Sequence, residues 1–308
     1  MGLPAVSVAI PTYRREQVLL DTVAQLLALE HRAAEILVVD QSEQHEAETE
    51  RRLDELHRRG DVRWVRLPRP SIPAAMNWAL QSARSDLVLF VDDDIQIISP
   101  VVQAHAAAHA AADAVAVVGQ ILQPGEAPLP EGEVPYHGGR ADDPDTFRFN
   151  AVEPREIQCI MAGNLSVKRA EAVRIGGFDE NFVRVAYRFE AEFAERILLA
   201  GGRIRFEPAA AIRHLQVARG GTRAYGHHLH TIRPDHRVGQ YYYFLRSPTV
   251  KSKLVRILTN PFKAVMSRHH LRKPWWIPVT LIAELWGLAW AILLYLRGPG
   301  RIGTRSRW

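Results

Sequence analysis

The sequence predicts an α/β fold, a sheet with helices on both faces and right-handed crossovers through its first half. Three observations carry this. Short β-branched runs alternate with stretches of helical periodicity from Val6 to Val91. The run EILVVD (Glu35–Asp40) is apolar without alternation, as expected of a parallel strand covered on both faces. Polar residues stand directly beyond the carboxyl ends of the strands, at Thr12, Asp40 and Asp92 to Asp94, on the edge where open α/β sheets bind ligands.

The elements follow in order. VSVAI (Val6–Ile10) is a strand, ended by the turn Pro11-Thr12-Tyr13. From Glu16 to Leu29 the residues Leu19, Val23, Leu26 and Leu27 recur at helical spacing. EILVVD is the second strand, a charged helix covers residues 46–58, and a third strand lies at 62–65. A helix over 71–84 leads into a fourth strand, DLVLFV (Asp86–Val91), and a fifth strand is expected near 114–118. Residues 121–155, rich in Pro, Gly and Asp, exceed an ordinary connection and predict a functional loop. A second ordered block spans 157–214, and a basic, apolar tail follows. The chain thus divides into an α/β domain over 1–225 and a helical extension over 226–308.

At 308 residues and 47% hydrophobic content, the chain can bury a large core with neither disulfide nor structural metal. Cys159 is the only cysteine, which fits a reducing compartment. The amino terminus lacks the basic, apolar and small-residue order of a secretion signal, so the α/β part is expected in the cytoplasm. The net charge of +5 is concentrated at the end, where residues 250–308 hold many Lys and Arg and a single acid, Glu284. The longest apolar run, Trp275–Leu296, lies in the same region and points to membrane lipid rather than nucleic acid. About 20 apolar residues suffice to cross a bilayer. Against a crossing stand Pro278 and Glu284, the latter unfavourable by about 2–3 kcal/mol near mid-bilayer. Arg268, Arg272 and Lys273 before the run, and Arg297, Arg301, Arg305 and Arg307 after it, give no orientation signal. A span, an in-plane helix on anionic lipid, and a helix packed on the protein itself all remain open.

The sharpest local motif is FVDDDI (Phe90–Ile95). Adjacent carboxylates at a strand end repel one another, and a hard cation such as Mg²⁺ or Mn²⁺ relieves this while bridging to a diphosphate. A solvated acidic turn is the alternative, and the buried strand before the motif favours the cation. No Walker motif occurs, and the glycines at 298, 300 and 303 follow a helix rather than a strand, which fails the dinucleotide pattern.

Taken in order, VSVAIPTYRR, ILVVDQS, the helix containing Asn77, FVDDDI, AGNLSVKR and GGFDENF resemble glycosyltransferase family 2, inverting enzymes of the GT-A fold. The resemblance covers about residues 5 to 215. It implies a GT-A-type, Rossmann-like mixed sheet and a nucleotide-sugar donor carrying UDP, GDP or dTDP. Pro11, Thr12 and Tyr13 would line the nucleotide pocket, Asp40 would meet the base or ribose, and Asn77, Asp92, Asp93, Gly163 and Asn164 would lie along the donor. Asp92 and Asp94 resemble the family's paired carboxylates, with Asp94 on Mg²⁺ or Mn²⁺, Asp92 near the ribose or metal, and His214 completing the metal site or touching the diphosphate. Two departures stand out: DQS replaces the commoner DGS, and AAMNWAL lacks the Arg often found before the Asn.

Inversion needs a carboxylate to take the acceptor's proton. The family places it six residues before an Arg, which from Arg196 leads back to Glu190, with Phe189 in place of the usual Glu. Helix geometry gives a separate argument. Phe189, Phe193, Ile197 and Ala200 define an apolar face, and Glu190 lies about 60° from its centre, Glu192 about 100° and Glu195 about 160°. Glu190 is therefore the first candidate, and Glu192, spaced to pair with Arg196, the second. Gly220 to Arg223 could form an anion nest or a plain loop. His227, His228 and His230 lack zinc-ligand spacing, and Asp179 reads as a cap. The expected acceptor is a saccharide or lipid-linked sugar, in bacterial envelope or exopolysaccharide assembly at the cytoplasmic membrane face. A nucleotidyltransferase and a non-catalytic nucleotide-sugar-binding partner are the competing classes.

Overall fold

In a computed structural model, which describes residues 2–137 and 146–304, the amino-terminal strands pair as a parallel ladder. β1 (Val6–Thr12) lies between β2 (Glu35–Asp40) and β4 (Leu87–Val91), and β3 (Arg63–Arg66) flanks β2. The crossovers are α1 (Gln17–Leu27), α2 (Ala47–Arg59) and α3 (Ile72–Ser82). Ser71 caps α3 by accepting from the Ala74 N–H, and Pro73 sits in its first turn, where no N–H is needed. Beyond β4 the sheet turns mixed. β8 (Asn164–Lys168) runs antiparallel between β4 and β6 (Ala116–Leu122), and β9 (Ile204–His214) continues parallel to β6. The far side of β9 pairs with β7 (Arg155–Ile157) at one end and β5 (Ile95–Ile97) at the other. This is the expected mixed sheet with helices on both faces.

Each central strand feeds two cores. Val8, Ile10, Val38 and Leu89 face α1, α2 and α4 (Val101–Ala111), while Ala9, Leu37, Val39 and Phe90 face α3 and the later helices. This explains why EILVVD shows no polar alternation.

β5 and α4, between the fourth and fifth expected strands, were not legible in the sequence. β5 has three residues, too few for a period. α4 (VVQAHAAAHAA) buries Val101, Val102, His105, Ala106, Ala108 and His109 on one side, but its exposed side is Gln103, Ala107, Ala110 and Ala111, so the sequence shows almost no polar face to mark it. The strand expected near 114–118 begins later, at Ala116, and runs on to Leu122. The 121–155 segment holds a bridge between Tyr136 and Phe147, and the ring of Phe147 packs on Phe149 and Phe206. Residues 138–145 of that segment, and Arg305 and Arg307 of the basic flank, lie outside the described residues.

α4 carries a consequence for acid stability. His105 is buried between Ser166 Oγ (2.8 Å) and Asn164 Oδ1 (2.9 Å), and His109 lies 2.9 Å from Ser166 Oγ. Burial pushes His105 down to about 3 and His109 down to about 4. Between those values and the unfolded pKa of about 6.5, these two side chains bind protons in the unfolded chain that the native chain refuses, so their contribution to stability falls as pH drops through that window. Each histidine contributes up to about 1.4 kcal/mol per pH unit there. Asp93 and Glu190, raised to about 7, act in the opposite sense over the same window, so the test is differential: between pH 7 and pH 5 the denaturant midpoint of His109→Gln should be less acid-sensitive than the wild type's by about one proton's worth of slope.

The carboxyl-terminal helices are α5 (Arg169–Arg174), α6 (Phe189–Leu199), α7 (Val238–Arg246), α8 (Lys253–Val265), α9 (Arg268–Arg272) and α10 (Trp276–Leu296). Val238, Tyr241, Tyr242 and Phe244 of α7, with Ala291 and Leu294 of α10, join the core that holds Phe178, Phe182 and Phe193. After α10 the chain returns: Ile302 N donates to Gly176 O (2.8 Å) and Gly300 N to the buried Asp179 carboxylate (2.9 Å). Asp179 also accepts from Tyr242 Oη (2.8 Å), so it ties α7 and the chain end to its own turn.

Candidate active site

The carboxyl ends of β1 and β4 open on a cavity of about 570 Å³, within the range of sites for nucleotide-sized ligands. Pro11, Thr12, Tyr13, Asp92, Asp93, Asp94, Gly163, Glu190 and His214 all line it. Residues far apart in sequence meet here for specific reasons. β5 pairs Ile95 with His214 at the end of β9, and Leu215 N donates to Asp94 O (2.8 Å). β9 reaches that register through three extra residues between Glu207 and Ala211, a bulge that admits Pro208. β8 pairs Asn164 with Val91, which lays Gly163 against Asp92. A Cβ on Gly163 would collide with the Asp92 carboxylate, so only glycine lets that side chain lie across the strand end.

The three aspartates have separate surroundings. Asp93 is internal: it accepts from Thr12 Oγ1 (2.7 Å) and Arg15 Nε (3.0 Å), and burial pushes it up to about 7 against both. Asp94 Oδ2 accepts from Arg15 Nη2 (3.0 Å) and Val217 N (2.9 Å). Burial would raise Asp94, but its bond to His214 and the Arg15 charge outweigh this and hold it below the usual carboxylate range. Its Oδ1 is 3.1 Å from His214 Nε2, and Asp92 Oδ2 is 3.8 Å from the same nitrogen. Asp92, Asp94 and His214 each offer one ligand atom, all within 4.8 Å of one another. Neighbouring ligands on a cation with bonds of about 2.1 Å sit roughly 3 Å apart, and opposite ones roughly 4 Å, so the group suits Mg²⁺ or Mn²⁺. His214 Nδ1 lies 3.1 Å from Gln123 Oε1, the outer-shell contact that fixes a ligating imidazole's tautomer. Among the described residues this is the one such cluster.

Glu190 faces the group from the first turn of α6, and its Oε1 accepts from Ala162 N (2.6 Å), next to Gly163. Burial pushes its carboxyl up to about 7. The segment delivering it is strained. Arg184, Ala186 and Arg188 have φ of 63°, 56° and 74°, left-handed conformations that cost a non-glycine residue roughly 1–2 kcal/mol each.

Glu192 is elsewhere, buried in ion pairs with Arg196 (2.8 Å) and Arg301 (2.6 Å). Glu195, expected far from the apolar face, is buried too, because Ser247 Oγ (2.6 Å) and Thr249 N (3.1 Å) cover it after α7. Three further predicted residues hold the framework and are not on the cavity wall. Asp40 is enclosed by His45 (2.8 Å), Ser42 N (2.8 Å) and Trp64 Nε1 (3.1 Å). Asn77 clamps Phe178 through its N–H (2.7 Å) and carbonyl (2.8 Å). Asn164 donates to Gln120 O and Ala210 O and accepts contact from His105. The neighbour of Asp40, Gln41, lines the cavity in its stead.

Sequence reasoning missed Arg15, which stands in VSVAIPTYRR without an assigned role. Its signal was the charge balance, since three clustered carboxylates need fixed cations as well as an ion. It also missed Tyr225, whose ring faces Tyr13 with centroids 6.5 Å apart and planes 24° from parallel. Gly221, Thr222 and Arg223 do reach the cavity, and Gly221 N donates to Tyr13 O (2.8 Å).

This sheet order, with an aspartate-rich strand end facing a deep cavity, is that of a GT-A-type glycosyltransferase. The chain belongs to Glycosyl transferase family 2, whose pattern matches residues 7–170. Comparison of the sequence with curated proteins gave no match. Two solved structures are similar in fold. GalNAc-T7, solved with UDP, GalNAc and Mn²⁺, superposes with a TM-score of 0.61 at 16% identity over 84% of this chain. The chain spans 55% of that protein's length. The mannosyltransferase PcManGT from Pyrobaculum calidifontis, solved with GDP-Man and Mn²⁺, gives 0.56 at 20% identity, covering 97% of this chain and 80% of its own.

Proposed function

We propose that this glycosyltransferase transfers a sugar, with inversion, from a UDP, GDP or dTDP donor to a saccharide or lipid-linked acceptor at the cytoplasmic membrane face, in bacterial envelope or exopolysaccharide synthesis. The observation that carries the reading is one cavity with a cation-binding trio on one wall and a carboxylate of raised pKa on another. Residues 1–225 would carry this chemistry and 226–308 would hold the enzyme to lipid.

The nucleobase enters between Tyr13 and Tyr225, whose near-parallel rings are spaced for one inserted plane after slight opening. Asp92, Asp94 and His214 would hold Mg²⁺ or Mn²⁺, which supplies positive charge to the diphosphate as it leaves. Arg15 fixes Asp94 in place and Arg223 adds positive charge beside it. Glu190, held by the Ala162 N–H, takes the proton from the acceptor hydroxyl as that oxygen bonds to the anomeric carbon. The bond from that carbon to the diphosphate oxygen breaks with its electron pair. The lipid-linked acceptor is favoured by Arg184, which lines the cavity and lies about 6 Å from the rings of both Tyr225 and Trp290 of α10.

Incubation with a panel of UDP-, GDP- and dTDP-sugars and polyprenyl-phosphate-linked acceptors, with Mn²⁺ or Mg²⁺, tests this. Release of a nucleoside diphosphate from one donor class supports it. Pyrophosphate release from a nucleoside triphosphate would replace it with the nucleotidyltransferase reading. Tyr225→Ala should weaken nucleoside diphosphate binding by about 1–3 kcal/mol, roughly 5- to 150-fold, the usual worth of a stacked base.

A further inference from the structure

We propose that α8 and the outer face of α10 form a docking surface for an anionic phospholipid bilayer, with α10 lying along the membrane rather than across it. This refines the membrane placement given above and does not depend on the transfer chemistry.

The argument begins with what holds α10. Ala283, Glu284, Gly287, Ala291 and Leu294 form a buried stripe at helical spacing against α7. A Cβ on Gly287 would come within 2.9 Å of Arg237 Cβ, so the two backbones meet closely there. Glu284, the acid that argued against a span, accepts from Arg237 Nε (2.9 Å), Tyr241 Oη (2.6 Å) and Asn260 Nδ2 (2.9 Å). The helix end is held as well, since Gly298 O accepts from Asn181 Nδ2 (2.7 Å) and Ile302 N reaches Gly176 O. A 21-residue helix is about 31 Å long, so a crossing would carry Gly298 to the far side of a bilayer core of about 30 Å. Gly176 and Asn181 belong to the α/β domain and cannot follow it.

What remains exposed is apolar. Leu285, Trp286, Leu293 and Leu296 face outward from α10. α8 has no buried residue, and its Leu254, Leu258 and Phe262 are 69%, 60% and 66% exposed on one face. Lys253, Arg256 and Lys263 lie on the other, as in helices that rest in a lipid interface. Met266 and Leu271 extend the apolar strip at 81% and 83% exposure, among Arg268, Arg272 and Lys273. Charge chooses the occupant. Glu284 is the sole acid in residues 250–308 and is already paired inside, so the face is wholly basic and apolar. A second copy would set like charge against like, whereas anionic headgroups over acyl chains match both features.

Sedimentation of the full chain with phosphatidylcholine vesicles, with and without one quarter phosphatidylglycerol, tests this, beside Leu258→Glu/Phe262→Glu. The expected result is at least tenfold tighter binding to the anionic vesicles and at least tenfold loss in the double variant, with an unchanged circular dichroism spectrum and denaturant midpoint as the check of folding. Undiminished vesicle binding by the double variant would overturn the proposal in favour of a span. Equal binding to both vesicle types would overturn the charge argument. Dimers without vesicle binding would assign the face to a second copy. None of these outcomes requires a sugar donor, so they separate from a failure of the transfer reading.

Discussion

Glu190→Gln is expected to lower kcat by about 10²- to 10⁴-fold while nucleoside diphosphate affinity stays within about twofold of wild type. The substitution keeps the shape and lets the amide oxygen accept from Ala162 N as the carboxylate does now. What it removes is the group able to accept a proton. Glu190 touches no residue of the cation trio through a hydrogen bond, so the donor site should persist. The same residue predicts the pH profile of the wild type. Its pKa is raised to about 7 by burial, and the working form of a base is the ionised one. The rate should therefore fall about tenfold per pH unit below 7 and level off above it, until another group intervenes. Glu192→Gln should behave differently. It breaks buried pairs with Arg196 and Arg301 and should appear first as lost stability.

Removal of divalent cations by EDTA should abolish transfer, with recovery on adding Mn²⁺ or Mg²⁺, and Asp94→Asn should resist that recovery. Asp94 divides its oxygens: Oδ2 is occupied by Arg15 and Val217 N, and Oδ1 faces His214. Asparagine can keep one oxygen in place but loses the charge that a hard cation requires. A loss on the order of 10²-fold or more in activity at saturating Mn²⁺ is expected, comparable to or beyond that of an outer-shell change at a metal site. Arg15 retains Asp93 in the variant, so the fold should tolerate it. Asp93→Asn is the contrast. Asp93 bonds Thr12 and Arg15 and is not among the cation trio, so its loss should act on stability more than on metal response.

The amino-terminal ladder was legible, and Asp92, Asp94 and Glu190 stood out as candidates, because they follow from strand ends and a helix face; His214 was a candidate through the family resemblance alone. Buried parallel strands announce themselves as unbroken apolar runs, and each strand end names the next polar residue. The rest depended on contacts the chain makes across long separations. β5 is too short to show a period, yet its pairing with β9 is what brings His214 to Asp94. Asp40, Asn77 and Asn164 look like ligand-binding residues in one dimension. In three dimensions each bonds backbone or side-chain partners, and none of the three lines the cavity. Glu195 shows the same limit, since a helical wheel cannot know that Ser247 and Thr249 will cover its outer face. The glycines after α10 failed as a nucleotide motif and instead let the chain end dock on the turn at Asp179.

The most direct test is calorimetric titration of the purified protein with UDP, GDP and dTDP, with and without Mn²⁺, beside Asp94→Asn. The account predicts that one of the three binds, that Mn²⁺ is needed for tight binding, and that the variant loses the metal's effect. Failure of all three to bind under either condition would contradict the assignment of this cavity to a nucleotide-sugar donor.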